Sequence, residues 1–366
     1  MKAVTFGSAM IDSIAIISDD RIERMSMRNA DSSFLLLEEG RKTEAEEISQ
    51  HVGGGAVNAG VAMARLGLDV ATVIKVGQDD RAEAVLRRLA DEKISTRYVM
   101  RAAGSATGAA VVVSSHERDA AIFTFRGANT LLRPDDLSDD MLSADLVYIS
   151  GLSNQSADCF PAIVKGAKAA GATVATNPGI RQLTSRTQPF LEALRQVDVL
   201  SVNKREADAL VPQLIARFGE GGPMLKLKPG AEGPDLALRY LGSGGCEMSL
   251  SRFASAILSF GVKTLLVTNG TDGGYAANAD GLHHCPVLPV DVVGTAGAGD
   301  AFASTFSAVF AQSGDPVRAL QAAATNSASV VGHTDTQTGL LTADRIDAHL
   351  KSLGGEGLAI QSWPLS

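Results

Sequence analysis

The chain of 366 residues has only three cysteines, Cys159, Cys246 and Cys285, and none of them forms a CxxC pair. An odd number of widely spaced cysteines argues against a disulfide framework or a zinc site, and suits a reducing compartment. The chain also lacks an apolar run long enough to cross a membrane. Its start has no small-residue cleavage site and is typical of a β-strand and turn, so we expect a cytoplasmic protein.

An excess of positive charge is absent too, because the formal net charge is -8 at pH 7. This argues against a general binder of nucleic acid or anionic membranes, but not against a nucleotide ligand, which needs only local donors. Internal repeats and low-complexity tracts are not found. Hydrophobic residues make up 45% of the chain and charged residues 20%, so a sizeable soluble core is expected.

Short apolar strands alternate with helical patterns along most of the chain. A strand from Ala3 to Phe6 precedes a loop that carries Asp12, and a later helix ends at Gly67, a typical C-terminal glycine. The strand Val70 to Val76 and the helix Asp79 to Asp91 continue this order. The alternation predicts an α/β protein with a parallel sheet and right-handed crossovers.

Two segments interrupt this alternation. The apolar runs AAVVVSS and AAIFTFRGAN predict an antiparallel hairpin without a helix between its strands, a candidate lid. A later run rich in glycine and proline predicts an irregular insertion. The predicted boundaries are 1–12, 53–97 and 130–353 for the main α/β domain, 13–52 and 98–129 for a small β lid, 219–248 for the insertion, and 354–366 for a loose C-terminal tail.

The motif GTAGAGD ends on Asp300, where the apolar pattern of a buried helix begins. Gly297, Ala298 and Gly299 therefore precede a helix, where free backbone N–H groups and the helix dipole favour an anion such as phosphate. A carboxylate would repel a bound phosphate, so its presence here is explained if Asp300 is the general base for an attacking hydroxyl. The helix dipole is expected to keep Asp300 ionised. The alternative is that Asp300 only caps the helix.

Polar residues follow several other predicted strands, and ligands of open parallel sheets bind beyond the carboxyl ends of the strands. Asn203 and Glu206 lie one helical turn apart and suit Mg²⁺, although the same pair is also typical of a capping box. The loop TNGTDGG at 268–274 predicts either backbone contacts to nucleotide phosphates or a turn between two strands. The segment HVGGGAVN predicts either contact with a small polar ligand or a helix start packed tightly on the sheet.

Together and in this order, these motifs resemble the ribokinase-like family, the phosphofructokinase B group of carbohydrate and nucleoside kinases. The resemblance covers residues 1 to 340 and implies a three-layer αβα sandwich with a mostly parallel central sheet and a small β lid. It also implies ATP as phosphoryl donor, Mg²⁺ at Asn203 and Glu206, Asp300 as base, and an anion hole at Gly297, Ala298 and Gly299.

The resemblance extends to the ligand contacts. Substrate-binding residues are expected at Asp12, Gly54, Gly55, Asn58 and Asn129, with Asn154 added as a further polar group at a strand end. Nucleotide-binding residues are expected at Asn203, Thr268, Gly270, Gly273 and Asn326.

One departure concerns a monovalent cation. Gly294 stands where the family pattern has an aspartate that helps to hold this ion. The resemblance therefore leaves potassium activation open: either Asp291 compensates from nearby or the cation is absent.

We predict an ATP-dependent kinase that phosphorylates a hydroxyl of a small sugar or sugar acid. A nucleoside kinase of the same fold is the first alternative, and aromatic side chains in the lid, such as Phe123 and Phe125, would favour it by stacking on a purine. A sugar or nucleotide sensor without catalytic activity is the second. The exposed edge of a lid hairpin also suggests a homodimer.

Overall fold

The computed structural model describes residues 1–18, 23–26, 33–36, 39–40, 42–114, 120–227, 233–353 and 358–365. The strands of these residues are β1 Lys2–Phe6, β2 Met10–Ile16, β3 Glu23–Ser26, β4 Ser33–Leu36, β5 Glu47–Gly53, β6 Asp69–Val76, β7 Val99–Arg101, β8 Gly108–Ser114, β9 Ala120–Phe125, β10 Leu146–Ser150, β11 Thr173–Asn177, β12 Val199–Asn203, β13 Tyr240–Ser243, β14 Cys246–Ser249, β15 Thr264–Thr268, β16 Gly274–Asn278, β17 Gly281–Cys285 and β18 Gln361–Trp363.

The helices of the same residues follow the amphipathic segments of the sequence. They are α1 Gly55–Arg65, α2 Asp80–Asp91, α3 Asp139–Leu142, α4 Phe160–Ala169, α5 Ile180–Ser185, α6 Thr187–Ala193, α7 Lys204–Phe218, α8 Asp235–Leu238, α9 Leu250–Ser259, α10 Ala298–Ser313, α11 Pro316–Val331 and α12 Ala343–Ser352. None of these helices combines the length and apolarity that a membrane crossing requires in the part of the chain that is described.

A large sheet forms the centre of the protein, with the strand order β18-β17-β16-β15-β12-β11-β10-β1-β6-β7. The strands from β15 to β7 in this order run parallel, while β16, β17 and β18 are added antiparallel at one edge. Strand β10, LVYIS, is buried at every position, as expected for a parallel strand covered on both faces.

Helices cover both faces of this sheet. Side chains of α4, α6, α7 and α9 belong to the core on one face, and side chains of α1, α2, α10, α11 and α12 belong to the core on the other. The predicted three-layer arrangement with a mostly parallel central sheet is therefore present. Helix α2 shows why such helices pack here: Ala82, Val85 and Leu89 form one buried stripe, while charged residues face outward.

A smaller sheet has the order β5-β2-β8-β9. Strands β8 and β9 pair antiparallel, as predicted for the hairpin, and β2 pairs antiparallel with β5 and parallel with β8. Asp12 is in strand β2 and not in a loop, because the alternating sequence of 10–16 continues the small sheet directly after β1. Strand β7, inside the segment predicted for the lid, instead pairs with β6 of the large sheet.

Two other segments are more regular than their composition indicates. The glycine-rich segment 219–248 contains α8 and strand β13, which pairs with β14 in a hairpin. In the C-terminal segment, β18 pairs with β17, and the Trp363 indole donates to the Lys226 carbonyl at 2.9 Å. Residues 354–357 and 366, and parts of the predicted 13–52 segment and of the insertion, lie outside the described residues.

Candidate active site

The glycine motif before α10 forms the N-terminus of a 16-residue helix. Gly297 is the N-cap and adopts the left-handed conformation with φ 80°, which glycine accommodates without strain. The helix begins at Ala298, two residues earlier than expected, so Asp300 lies in its first turn. Asp300 therefore does not cap the helix, and its side chain is free to make another contact.

That contact is with Asn58 of α1, whose Nδ2 donates to Oδ2 of Asp300 at 2.8 Å. Part of Asp300 remains accessible, but the protein atoms around its carboxyl group desolvate it and raise its pKa, an effect that the Asn58 hydrogen bond opposes. The expectation that the helix dipole keeps Asp300 ionised is therefore countered by burial. A raised carboxyl pKa suits a general base, which is most effective when its pKa is near the working pH.

Asp12 lies close enough to Asp300 for the two charges to interact. Burial, and to a lesser extent the negative charge of Asp300, raise the pKa of Asp12 to about 6, while His51 acts against both. A carboxyl group on strand β2 and one in the first turn of α10 thus influence each other's ionisation. Such a pair of perturbed acids is typical of a functional site.

The glycines of the segment 53–55 are explained first by packing. A Cβ on Gly54 would lie 2.5 Å from the Ser8 carbonyl oxygen, and the φ of Gly54 is 98°. A Cβ on Gly55 would lie 2.8 Å from the side chain of Ser150 and 3.6 Å from Oδ1 of Asp300. Gly54 is therefore required by a tight helix start, its predicted sugar contact stays a prediction, and Gly55 borders Asp300 directly.

Sequence reasoning missed two residues that touch Asn58. Thr336 Oγ1 and Gln337 Nε2 both donate to Oδ1 of Asn58 at 2.9 Å. Both residues follow α11, in the polar run TDTQT, and are 278 and 279 positions from Asn58 in the chain. Only the density of polar residues after an apolar helix could have drawn attention to this segment.

The two other predicted substrate residues differ from each other. Asn129 is buried and binds the backbone of Ala9 twice, since its Oδ1 accepts from the Ala9 N–H and its Nδ2 donates to the Ala9 carbonyl, both at 2.9 Å. These two bonds fasten the end of the hairpin to the loop after β1, so Asn129 has a structural contact at both ends of its amide. Asn154 is exposed after β10 with a left-handed φ of 54°.

Asn203 and Glu206 form the capping box that was the alternative to a magnesium motif. Asn203 Oδ1 accepts from the Glu206 N–H at 2.9 Å, and Glu206 Oε2 accepts from the Asn203 N–H at 3.0 Å. Burial raises the pKa of Glu206 to about 7, with a further contribution from the charge of Asp300. Glu206 is only 8% exposed, and backbone hydrogen bonds and the charge of Arg205 offset the effect of burial only in part.

The predicted nucleotide loop lies next to this box, because Asn203 and Thr268 are direct partners at the ends of parallel strands. The loop is also the turn of the β15–β16 hairpin, with Gly270 and Gly273 at φ 52° and 97°. A Cβ on Gly270 would meet no atom within 4 Å, so this residue faces open space. Both interpretations of the loop are thus compatible with its geometry.

Asn326 does not suit the nucleotide-binding role predicted for it. It is fully buried in α11, its Nδ2 donates to Thr305 Oγ1 at 2.7 Å, and its Oδ1 accepts from the Leu341 N–H at 2.8 Å. Both amide groups are used to join α11 to α10 and to the following segment. Its role is to hold these elements together.

Comparison with known proteins identifies a family for this chain. Residues 4–343 match the profile of the pfkB family carbohydrate kinases. Ribokinase of Staphylococcus aureus (strain COL) is 27% identical over 274 residues, which are 73% of this chain and 77% of that protein. The ATP-dependent ribose-1-phosphate kinase of Halopiger xanaduensis is 29% identical over 302 residues, covering 82% and 87% of the two chains.

The fold has a solved counterpart in Arabidopsis thaliana ribokinase complexed with ribose and ATP. The two structures superpose with a TM-score of 0.72 at 20% identity, over 95% of this chain and 97% of the other. At this identity the likeness shows the fold, and it confirms the architecture predicted from the sequence.

Proposed function

Because this chain belongs to the pfkB family of carbohydrate kinases, we propose that Asp300 is the general base of an ATP-dependent sugar kinase. Membership makes the protein a kinase of the sugar and nucleoside class that uses ATP. The finer proposal is that it phosphorylates a hydroxyl of a small sugar or sugar acid. The observation that carries it is the partly buried Asp300 carboxyl, which is bound by Asn58 and lies close enough to Asp12 for their charges to interact.

In this proposal Asp12 accepts a hydrogen bond from one substrate hydroxyl while Asp300 accepts the proton of the hydroxyl that attacks. Both roles require acceptors. Burial raises the pKa values of both acids. A bound polyol donates hydrogen bonds to them, which favours their ionised forms and opposes this effect. Asn58 then holds Asp300 at 2.8 Å, so the base keeps its position during proton transfer.

The N–H groups of Ala298, Gly299 and Asp300 belong to the first turn of α10 and have no partner four residues earlier, although Ala298 makes a long bond of 3.5 Å to the Thr295 carbonyl. A Cβ on Gly299 would meet no atom within 4 Å, so the backbone here borders open space. We assign these donors, with Gly297 shaping the turn, to the charge that develops on the transferred phosphoryl group. The dipole of a 16-residue helix acts in the same direction.

Asn203 and Glu206 fit Mg²⁺ because Glu206 is buried and its pKa stays raised, partly through the charge of Asp300. A nearby divalent cation favours the ionised form of such an acid. When bound, Mg²⁺ neutralises charge on the phosphate oxygens of ATP. Thr268, Gly270 and Gly273 are proposed to contact the nucleotide from the adjoining loop. Gly294 leaves a potassium requirement open. A Cβ at this position would lie 3.1 Å from the His333 carbonyl oxygen, so a side chain here would be tightly packed.

The nucleoside alternative loses the feature that favoured it. Asp12 pairs in register with Ala110, and Ala110 with Thr124, so these residues share one face of the small sheet. Phe123 and Phe125 alternate with Thr124 and therefore lie on the opposite face, away from the face of Asp12. They cannot stack on a base held beside Asp12 without a change of register.

That opposite face is a candidate dimer surface. Phe123, Phe125, Val111 and Ile48 are 61%, 54%, 47% and 72% exposed, and strand β9 is an edge of the small sheet. Exposed apolar side chains beside a free strand edge favour association. We propose a homodimer through this surface, to be tested by light scattering of the protein and of Phe123→Ser, which should shift it towards monomer.

Arg126 gives a reason to include sugar acids among the substrates. It starts the turn that contains Asn129, and burial lowers its pKa, with the charge of Arg181 acting in the same direction. Among the described residues, neither arginine has a carboxylate within ion-pair distance. An unpaired guanidinium group suits an anionic ligand.

The experiment that tests the proposal is a screen of sugars, sugar acids and nucleosides for ADP release. A sugar or sugar acid should be turned over, and Asp300→Asn should abolish most of that turnover while ATP binding remains. Turnover of nucleosides alone would support the alternative kinase. Binding of sugar or ATP without turnover of any candidate would support a sensor.

A further inference from the structure

A chain of hydrogen bonds leads from the surface helix α2 to Asp300. Arg88 Nε donates to Gln337 Oε1 at 2.8 Å, Gln337 Nε2 donates to Asn58 Oδ1 at 2.9 Å, and Asn58 Nδ2 donates to Asp300 Oδ2 at 2.8 Å. Gln337 and Asn58 are 2% and 4% exposed, so water does not compete for these bonds. Four side chains from four separate segments are joined in one line.

The direction of every bond in this line is fixed by chemistry. Arginine has donors only, so the oxygen of the Gln337 amide must face Arg88 and its nitrogen must face Asn58. The oxygen of the Asn58 amide must then face Gln337, which turns its nitrogen towards Asp300. The amide orientations, which atomic positions alone leave ambiguous, thus follow from the arginine at the start.

The start of the line is itself held firmly. Glu92 accepts from Arg88 at 2.9 Å and from Arg65 at 2.6 Å, so Arg88 is one of two cations sharing one carboxylate. Arg65 also donates to the backbone carbonyl of Gln337 at 2.9 Å. Both the side chain and the backbone of Gln337 are therefore tied to the same ion-pair cluster.

We propose that Arg88 and Gln337 are positioning residues, which orient the Asn58 amide with its N–H towards Asp300 and thereby favour the ionised base that phosphoryl transfer needs. This inference rests on the proposed role of Asp300. The charged or ionisable groups around Asp300 are Asp12, Glu206 and Tyr148, and ionisation of each is disfavoured by the charge of Asp300. In the part of the chain described, Asn58 is the one side-chain donor to Asp300, so its orientation decides the balance.

Two substitutions at Gln337 separate orientation from packing. Gln337→Glu has nearly the same shape and keeps the bond to Arg88, but it presents a second oxygen to Asn58. The Asn58 amide should then turn over and place its own oxygen against Asp300, which disfavours the ionised carboxylate. Gln337→Met removes the polar contacts without imposing the wrong orientation, and Thr336 still donates to Asn58.

The expected order of effects is therefore Gln337→Glu greater than Gln337→Met. The acidic limb of the kcat/KM profile should move to higher pH by about one unit in Gln337→Glu and by less in Gln337→Met. A purely structural role predicts the reverse order, because Met loses the hydrogen bonds to Arg88 and Asn58 while Glu keeps the contact with Arg88. Thermal unfolding of both variants records this structural component separately.

A titration of the Asp300 carboxyl by NMR, with carboxyl-labelled aspartate, tests the inference without catalysis. The Asp300 signal is identified by its loss in Asp300→Asn. Its midpoint should rise in Gln337→Glu; an unchanged midpoint, or a larger rise in Gln337→Met, would overturn the positioning role. Full turnover by Asp300→Asn would instead overturn the proposed base, so the two failures can be told apart.

Discussion

Asp198 is a buried carboxylate at the amino ends of the large sheet's strands, whereas Asp300 is a partly buried carboxylate in the first turn of α10, and their hydrogen-bond partners differ. Asp198 precedes β12 and accepts from Lys168 and Lys263 at 2.8 Å and from the Val174 N–H at 2.8 Å. Although burial acts to raise it, these bonds hold the pKa of Asp198 below its usual value. Asp300 has a single neutral amide as partner, and burial raises its pKa.

The comparison separates a carboxylate that stabilises the fold from the carboxylates of the candidate active site. At the amino edge, a carboxylate is fully compensated and joins β11, α4 and the segment before β15. At the carboxyl edge, Asp12, Glu206 and Asp300 gather with too little positive charge among the described residues to balance them. Uncompensated acids lower stability, and such sites are expected where a ligand supplies the missing charge or donor.

The largest expected difference between the two acids is in turnover. Asp300→Asn preserves shape but removes the proton acceptor, so kcat should fall by about 10²–10⁴-fold, the usual contribution of a general base. Asp198→Asn, the matched substitution at the other edge, should leave kcat per folded molecule unchanged. Steady-state kinetics and ATP binding measured on both variants test this. Equal losses in the two would remove the functional distinction between the edges.

Stability should show the opposite order. Asp198→Asn leaves two lysines without their shared carboxylate, and we expect the free energy of unfolding to fall by about 2 kcal/mol. This is less than for a fully buried pair because Lys168 and Lys263 are 30% and 71% exposed and can turn to water. Denaturant unfolding at pH 7 provides the measurement. A larger loss in Asp300→Asn than in Asp198→Asn would contradict the comparison.

Glu206→Gln tests the carboxyl edge at its second acid. Glutamine at this position retains the capping box with Asn203, so unfolding should change little. The affinity for Mg²⁺ in the presence of a non-hydrolysable ATP analogue, measured by calorimetry, should fall by about tenfold. Glu192→Gln, on the exposed face of α6, is the matched control. Unchanged Mg²⁺ affinity in Glu206→Gln would restrict Glu206 to its capping role.

The fold could be predicted because its signals are local. The alternation of apolar strands and amphipathic helices is readable within ten to twenty residues, and the start of α11 at Pro316 and its end at Val331 agree with the pattern. The glycine motif before Asp300 is equally local. For Asp12 the glycine after the first strand predicts a loop, but the alternation around it, MIDSIAI, is typical of the strand that the structure has.

The sequence does not show which residues form hydrogen bonds with the asparagines of the site, because these partners are far away along the chain. The sequence predicts ligand contacts for Asn129 and Asn326. In the structure, the oxygen and the nitrogen of each amide form hydrogen bonds with other protein groups. Thr336 and Gln337 were not expected at all, although they set the orientation of Asn58. A buried amide is defined by the groups opposite it, and those groups come from residues far along the chain.

The smallest predicted effect concerns how stability depends on pH. The contributions of Asp12 and Glu206 change with pH in the opposite direction to that of Asp198. The raised pKa values of Asp12 and Glu206, about 6 and about 7 against usual values of 3.8 and 4.5, stabilise the fold fully only below the usual values. This contribution is lost as pH rises towards 7, because the folded protein then gives up protons that it holds more tightly than the unfolded chain. The lowered pKa of Asp198 acts oppositely, and its contribution is lost as pH falls below 4.

Asp300→Asn should therefore flatten the decline in melting temperature between pH 4 and pH 7, since the charge of Asp300 is one cause of both raised values. Asp198→Asn should instead flatten the decline on the acid side. Melting curves of the ligand-free protein from pH 3 to pH 8 would show both slopes. If Asp300→Asn left the change in melting temperature between pH 4 and pH 7 as it is, the charge of Asp300 would not act on Asp12 and Glu206. The electrostatic difference between these acids and Asp198 would then not hold.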